Sequence, residues 1–386
     1  MLYVSFPTGA FHGWGVLGKN LAMELAELTD IRLLTENFTP EAMGGELDFH
    51  AMQRLLPAAG DVSLTATDGP DRILNGKLLT AVDTVNMAPR VPNLRGEWTV
   101  GYTVFEDMLV KPQAVENSRW YDYLAAGSSA CEERLRQGGL TNVTTVIHGI
   151  DPTIFEPTPV ERRYLRDRFV VFSGGKLELR KGQDVVVRAF KALQDKHDDV
   201  MLVCAWNNPW PKNAHTIKSS RLTRFEPTSD NQITMATEYL SQNGIDLRRA
   251  LVLSARPNLA MAHVFKQTDI GIFPNRCEGG TNLVLMEYMA CGKPVIATYS
   301  SGHRDIITNE NSLPLRQLRQ IPIAREGKTV AHWDEPDVDE AIAKLEYAYL
   351  NRAALVPLAR QAGEDLKLCT WRHTAEKLFA LTNLHA

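Results

Sequence analysis

The chain of 386 residues contains no apolar run approaching the roughly 18 residues that a membrane-spanning helix needs. It also lacks a basic block: 42 Lys and Arg stand against 46 Asp and Glu, a net charge of −4. The electrostatic footprint of a nucleic-acid binder is therefore missing, and docking on anionic lipid is not indicated. Cysteine is scarce. Cys131, Cys204, Cys277, Cys291 and Cys369 are odd in number and show no paired metal spacing. That argues against a disulfide framework and fits a reduced, cytoplasmic setting. The opening MLYVSFPTG reads as one short strand without a basic n-region, so no signal peptide is expected. No internal repeat or low-complexity stretch is visible.

What is present is ordinary globular composition, at a length that favours two domains. The charge is uneven: residues 1–150 hold 11 Lys/Arg and 18 Asp/Glu, a balance of −7, which leaves +3 for the remainder. Leu2 to Phe6 reads as a buried strand, GAFHGWGVLGKN as a glycine-rich loop, LAMELAEL as a helix and IRLLT as the next strand. That is the βαβ opening of a doubly wound sheet. Gly13, Gly15 and Gly18 satisfy the bare GxGxxG string, and Glu36 lies near the place of a ribose-binding acid, so a dinucleotide enzyme stays open. His12 and Trp14 contact substrate or pack this loop. Residues 40–100 read as irregular, with turns at Asp68–Gly69–Pro70, Pro89 and Pro92. Thr99 to Glu106 reads as a strand ending on an acid. Glu106 is thus either an acceptor contact in the crevice or a solvated loop carboxylate. Ser128 or Ser129 is a candidate N-cap, with Glu132 as the return arm of a capping box. His148 is a base or a turn residue, and Pro152, Pro157 and Pro159 after it suit a hinge.

The second half opens on a strand from Phe169 that ends in Ser173–Gly174–Gly175, with Lys176 and Lys181 five apart before Gly182 starts a helix. Cations beside a glycine turn and a helix start suit phosphate. The alternative is two solvated lysines and Arg180 on a surface loop. Val200 to Trp206 is a further strand, and the polar stretch 207–234, with Trp210, covers the cleft or is an excursion. The chain is organised around Pro274 to Thr298. A loop with Gly279 and Gly280 leads into a helix from Asn282 to Cys291, which Gly292 and Pro294 stop before a strand, Val295–Ile296–Ala297. Free N–H groups and the helix dipole make the stretch from Gly279 through Thr281 to Leu283 an anion site. Glu278 and Glu287 flank it and can accept hydrogen bonds from vicinal hydroxyls. Phosphate site plus hydroxyl acceptors suggests a sugar nucleotide.

Glycine loop, Lys-x4-Lys and glutamate pair, in that order, resemble the retaining GT-B glycosyltransferases of family 4, the glycosyl transferases group 1. The resemblance implies an α/β chain with two Rossmann-like domains facing across a cleft. Residues 1–158 would bind acceptor, 159–368 would bind nucleotide sugar, and 369–386 would return as a helix to the first domain. It implies retaining transfer from a nucleotide diphosphate sugar, UDP or GDP type, to a hydroxyl of a growing glycan, glycolipid or small molecule. Donor contacts fall on Gly13, Gly15, Gly175, Lys176, Lys181, Glu278, Gly279, Gly280, Thr281, Asn282, Leu283 and Glu287. Lys181, Lys176 and Glu278 would serve catalysis, and His12, Trp14, Glu106 and His148 would face the acceptor. Ser300 to Ile307 resembles the family's glycine loop near the donor.

The sequence departs from the family pattern in two places. Lys176 stands where the family carries Arg, which keeps the charge and gives up the bidentate fork. Eight residues separate Glu278 from Glu287 instead of seven, so either Glu278 keeps its role through a loop bulge or Gly279 sits at its place. Neither cofactor nor metal is expected, because the one DxD string, Asp337–Val338–Asp339, opens a helix after Pro336. A GT-B epimerase, a glycan phosphorylase, an NAD-dependent oxidoreductase and a non-catalytic sugar binder remain as alternatives.

Overall fold

The computed structural model describes residues 1–58, 71–106, 109–325 and 327–384; the turn expected at Asp68–Gly69–Pro70 lies outside them. The first domain is built on six parallel strands: β1 (Leu2–Ser5), β2 (Ile31–Leu34), β3 (Lys77–Ala81), β4 (Trp98–Thr103), β5 (Tyr123–Ala126) and β6 (Val143–Thr145). Their order is β2-β1-β3-β4-β5-β6. Helices cover both faces, so neighbours along a strand are buried alike: Leu124, Ala125 and Ala126 are all fully enclosed. Strand β3 corrects the reading of residues 40–100 as irregular. KLLTA is too short to carry a period, yet it pairs with β1 and β4 at the centre of the sheet. The same region also holds two short helices, Pro40–Met43 and Glu46–Gln53.

Helix α1 (Gly13–Ala26) starts earlier than the sequence suggested. The three glycines of the GxGxxG string lie inside it instead of forming a loop. Packing accounts for two of them: a Cβ on Gly18 would stand 2.1 Å from the Pro7 carbonyl oxygen and one on Gly15 3.1 Å from the Gly9 nitrogen, whereas Gly13 faces open space. Helix α2 (Ser129–Gln137) begins at N-cap Ser128, whose Oγ accepts from the Cys131 N–H. Glu132 does not close a capping box; it bonds Thr145 and Arg136 instead.

The second domain repeats the plan with β7 (Phe169–Gly174), β8 (Val200–Ala205), β9 (Ala250–Val252), β10 (Ile270–Phe273), β11 (Val295–Thr298) and β12 (Leu313–Leu315), ordered β9-β8-β7-β10-β11-β12. Its helices are α3 (Gln183–Gln194), α4 (Gln232–Gln242), α5 (Met261–Lys266) and α6 (Leu283–Ala290). The stretch 207–234 is no loose excursion, because Ala214, Ile217 and Phe225 are buried in this core. An antiparallel hairpin, β13 (Leu318–Arg325) with β14 (Lys328–Pro336), had no counterpart in the sequence reading. Its Ala331 and Trp333 pack on Cys277 beside the central loop.

Three helices follow: α7 (Val338–Leu350), α8 (Leu355–Leu366) and α9 (Trp371–Leu381). Asp337 of the DxD string caps α7 by accepting from the Glu340 N–H at 2.8 Å. Helix α9 lies on the first domain: Trp371, Ala375 and Leu378 belong to its core, and Lys77 Nζ donates to Asn383 at 2.6 Å. Among the described residues no helix is long and apolar enough to cross a membrane.

Candidate active site in the interdomain cleft

In an open parallel sheet, ligands bind beyond the C-terminal strand ends where the winding direction reverses. In the second domain that point lies between β7 and β10. The loops leaving these strands face the loops after β1 and β4 of the first domain, and a cavity of about 250 Å³ lies between them. Its walls include His12, Gly13, Trp14, Glu106 and His148 from the first domain. The second domain supplies Gly175, Lys176, Lys181, Glu278, Gly280, Asn282, Leu283 and Glu287.

Gly15, Gly279 and Thr281 do not line the cavity. The Gly15 N–H is taken by the His12 ring, and a Cβ there would press on Gly9. Gly279 lies under the first domain: a Cβ would meet the Val104 carbonyl carbon at 2.4 Å, and its oxygen accepts from Ser128 Oγ at 2.8 Å. Thr281 is buried with its hydroxyl on Met286 Sδ. Of the two loop positions, it is therefore Glu278 that reaches the cleft.

Charge is concentrated where the two second-domain loops meet. Gly182 fixes the meeting point, with φ at +71° and room for no Cβ, since one would stand 2.1 Å from the Pro274 oxygen. This holds Lys181 Nζ 2.6 Å from Glu278 Oε1. Arg180, read as a possible surface residue, is only 4% exposed. Its guanidinium meets Glu278 at 3.1 Å, Glu178 at 2.7 Å, Glu106 at 3.1 Å and the Cys277 carbonyl at 2.9 Å. Lys176 lies 3.6 Å from Glu178. Burial alone would raise the pKa of Glu278, but Lys181 and Arg180 outweigh it and hold the carboxyl well below its usual range. Burial lowers Lys181, with Glu278 opposing. For Glu106 burial wins over Arg180 and Lys176, and the pKa rises.

The helix that follows opens towards this cluster. Asn282 precedes α6 in a left-handed conformation, φ +62°, and no side chain caps the first turn. Burial lowers the His303 pKa to about 4, so the ring is neutral at pH 7. Its Nδ1 lies 3.1 Å from the Thr298 oxygen and its Nε2 3.1 Å from Asn282 Nδ2. A proton on Nδ1 lets the ring donate to the carbonyl and accept from the amide, which pins Asn282. The uncapped N–H groups of α6 remain available to an anion.

One turn further, Glu287 is 2% exposed and accepts from Asn258 Nδ2 at 2.7 Å. Burial raises its pKa to about 8, so in the empty cleft this carboxyl is largely protonated at pH 7. Asn258 also joins the domains, its backbone N–H donating to the Ala10 oxygen at 2.7 Å. Sequence reasoning missed Asn258; its one signal was its place just after a strand end at the crevice. Trp210 also lines the cavity, with Lys176 Nζ 5.2 Å above its ring and the His12 ring 5.9 Å away, edge-on. His12 is lowered by burial and by Lys176. His148 is lowered by burial to about 4, and its buried Nδ1 has no partner among the described residues. Further contacts close the cleft: Trp333 Nε1 donates to the Glu106 oxygen at 3.1 Å, and the Ser129 N–H donates to Asp305 at 2.7 Å.

This arrangement, three basic side chains paired with carboxyls beside an uncapped helix N-terminus, can hold a diphosphate and hydroxyl groups together. Part of the chain is similar to known sequences. Residues 167–345 match the family model described as glycosyl transferases group 1. A GDP-mannose-dependent alpha-(1-6)-phosphatidylinositol monomannoside mannosyltransferase of Mycolicibacterium smegmatis is 28% identical over 166 residues. That alignment covers 40% of this chain and 37% of the mannosyltransferase, so the chain matches little more than a third of that relative's length. Solved structures agree over nearly the whole chain. Sucrose-phosphate synthase of Thermosynechococcus elongatus superposes with a TM-score of 0.64 at 15% identity, over 99% of this chain and 98% of that one. HepE of Anabaena, solved with UDP-glucose, gives 0.62 at 12% identity over 98% of both. The fold is GT-B, two parallel-sheet α/β domains facing across a cleft.

Proposed function

We propose that the protein is a retaining glycosyltransferase that moves a sugar from a nucleotide diphosphate sugar, UDP or GDP type, to a hydroxyl acceptor. The observation that carries this reading is the buried Lys181–Arg180–Glu278 cluster set against the uncapped N-terminus of α6, inside a GT-B cleft. As the bond between anomeric carbon and phosphate oxygen breaks, negative charge grows on the leaving β-phosphate. Lys181, Lys176 and the α6 N–H groups stabilise it, and they do so strongly because the site is preorganised and largely closed to water. The acceptor oxygen bonds to the anomeric carbon on the face the phosphate leaves, and its proton passes to the departing phosphate oxygen. Glu287 holds the ribose hydroxyls, Glu278 a hydroxyl of the donor sugar. His12, Trp14, Glu106 and His148 face the acceptor. The cationic side chains supply the charge that a divalent metal supplies elsewhere, so no cofactor is needed. Five free thiols suit a cytoplasmic setting.

The test is nucleotide release from UDP-, GDP- and dTDP-sugars in excess chelator, followed by proton NMR of the product. Release with one donor class, unaffected by chelator, and an α-anomeric coupling are expected. Abolition by chelator with rescue by magnesium or manganese overturns the metal-free account, and a β-linked product overturns retention. If no nucleotide is released from any donor, the transferase reading falls.

A further inference from the structure

The first sheet has a switch point of its own. Strand β1 lies between β2 on one side and β3 on the other, so the winding reverses there. Beyond the C-terminal ends of these three strands is a second cavity, of about 320 Å³. Thr8 and Gly9 after β1, Glu36 and Asn37 after β2, and Arg90 after β3 form its walls. Ala10, Phe11 and His12 line both this cavity and the donor cleft, so the two spaces adjoin.

Arg90 is the distinctive group. Its side chain is only 16% exposed, and burial lowers its pKa, with Glu36 opposing. Nη1 donates to Ser5 Oγ and to the Leu34 oxygen, both at 3.3 Å, and both acceptors are neutral. Among the described residues the nearest carboxylate, on Glu36, is 3.8 Å from Nη2 and sits on a side chain that is 57% exposed. A buried guanidinium without a hydrogen-bonded counter-ion is poorly compensated. A planar fork in that state is matched by an anion offering two oxygens. A neutral hydroxyl would leave the charge as it is.

We propose that this second cavity is the acceptor subsite and that Arg90 binds a phosphate group carried by the molecule that receives the sugar. The proposal rests on the transferase reading, and it names an acceptor class: a phosphorylated sugar or polyol, either free in solution or displayed as a lipid headgroup.

With the donor found by the release screen, hexose 6-phosphates and glycerol phosphate are compared with hexose and glycerol. Phosphatidylinositol displayed in phosphatidylcholine vesicles is compared with free myo-inositol. At least one phosphorylated acceptor should exceed its neutral partner by about tenfold or more in kcat/KM, and the arm that responds identifies a soluble or a lipid source. Arg90→Gln should raise KM for that acceptor until the preference vanishes, with nucleoside diphosphate affinity by calorimetry unchanged. Arg90→Lys should restore part of the preference. In thermal unfolding, inorganic phosphate should stabilise the wild type more than Arg90→Gln. Equal kcat/KM for phosphorylated and neutral acceptors overturns the proposal. So does an equal loss on both in Arg90→Gln, which would mark a structural role. If no nucleoside diphosphate binds but the Arg90-dependent phosphate effect persists, the anion site stands and the transferase reading fails.

Discussion

Replacing Glu287 by Gln should stabilise the protein at about pH 8 and change it little near pH 5. Glu287 lies in α6 at the cleft wall, and burial raises its pKa from 4.5 to about 8. A group raised on folding contributes its full stability below the unfolded value and loses it as pH climbs through the folded one. The penalty therefore accumulates between about pH 4.5 and pH 8, because the unfolded chain releases this proton first. At about 1.36 kcal/mol per unit, the shift sets a ceiling of about 5 kcal/mol. Water entering the open side of the cleft lowers that, and we expect roughly 1–3 kcal/mol at pH 8. Glutamine keeps the oxygen that accepts from Asn258 at 2.7 Å, so the fold loses no partner. Urea unfolding of wild type and variant from about pH 5 to pH 8.5 reads the effect. The variant's advantage should grow steadily with pH at constant m-value. A difference that stays flat across the range would mean that Glu287 is not held neutral by its surroundings, and the reasoning would fall.

Two other substitutions probe the charge cluster. Lys181→Ala should lower turnover about a hundredfold or more, through lost stabilisation of the leaving phosphate. Its fold should survive because Arg180 still pairs with Glu278 at 3.1 Å, and near-normal turnover in the folded variant would remove the assignment. Glu278→Gln frees Lys181 and Arg180 from their shared carboxylate, so nucleoside diphosphate affinity should hold or rise while turnover falls. A calorimetric loss of affinity as large as that of Lys181→Ala would instead assign Glu278 to the nucleotide.

Much of this site was readable because its chemistry is local in sequence. Lys176, Lys181 and Glu278 border glycine turns, Glu287 lies one turn into the helix that such a turn starts, and these turns mark strand ends at a crevice. Arg180 was harder. An arginine between two lysines reads as solvated, and only the fold shows three carboxylates, Glu106, Glu178 and Glu278, gathered around it. Two of those partners lie about 75 and 100 positions away, a separation that no local pattern encodes. Gly15 and Gly279 failed for a related reason. Glycine signals close approach without naming the neighbour, and here the neighbours are Gly9 and Val104 of the first domain, not a ligand. Strand β3 and the hairpin β13–β14 escaped as well. The first is five residues long and central, so tertiary pairing rather than periodicity makes it a strand. The second alternates only weakly, being half exposed on one face.

The cluster also constrains how the cleft works. Lys176, Arg180 and Lys181 face Glu106, Glu178 and Glu278, so the empty site is close to neutral and its members compensate one another. A diphosphate entering this set competes with the carboxylates for the same three cations. Glu278 already sits well below the usual carboxylate range and Glu106 above it, so the two respond differently to added negative charge. The energetically easier response is for Glu106, whose charge burial already disfavours, to take up a proton or turn from Arg180. Glu106 lies on the first domain and Arg180 on the second, with Trp333 and Cys277 holding the Glu106 backbone carbonyl. If a diphosphate binds as proposed, the Glu106–Arg180 side-chain contact between the domains should loosen while the contacts to the Glu106 backbone stay. On the proposed reading, the carboxyl released from Arg180 would then be free to meet an acceptor in the cleft that Glu106 lines.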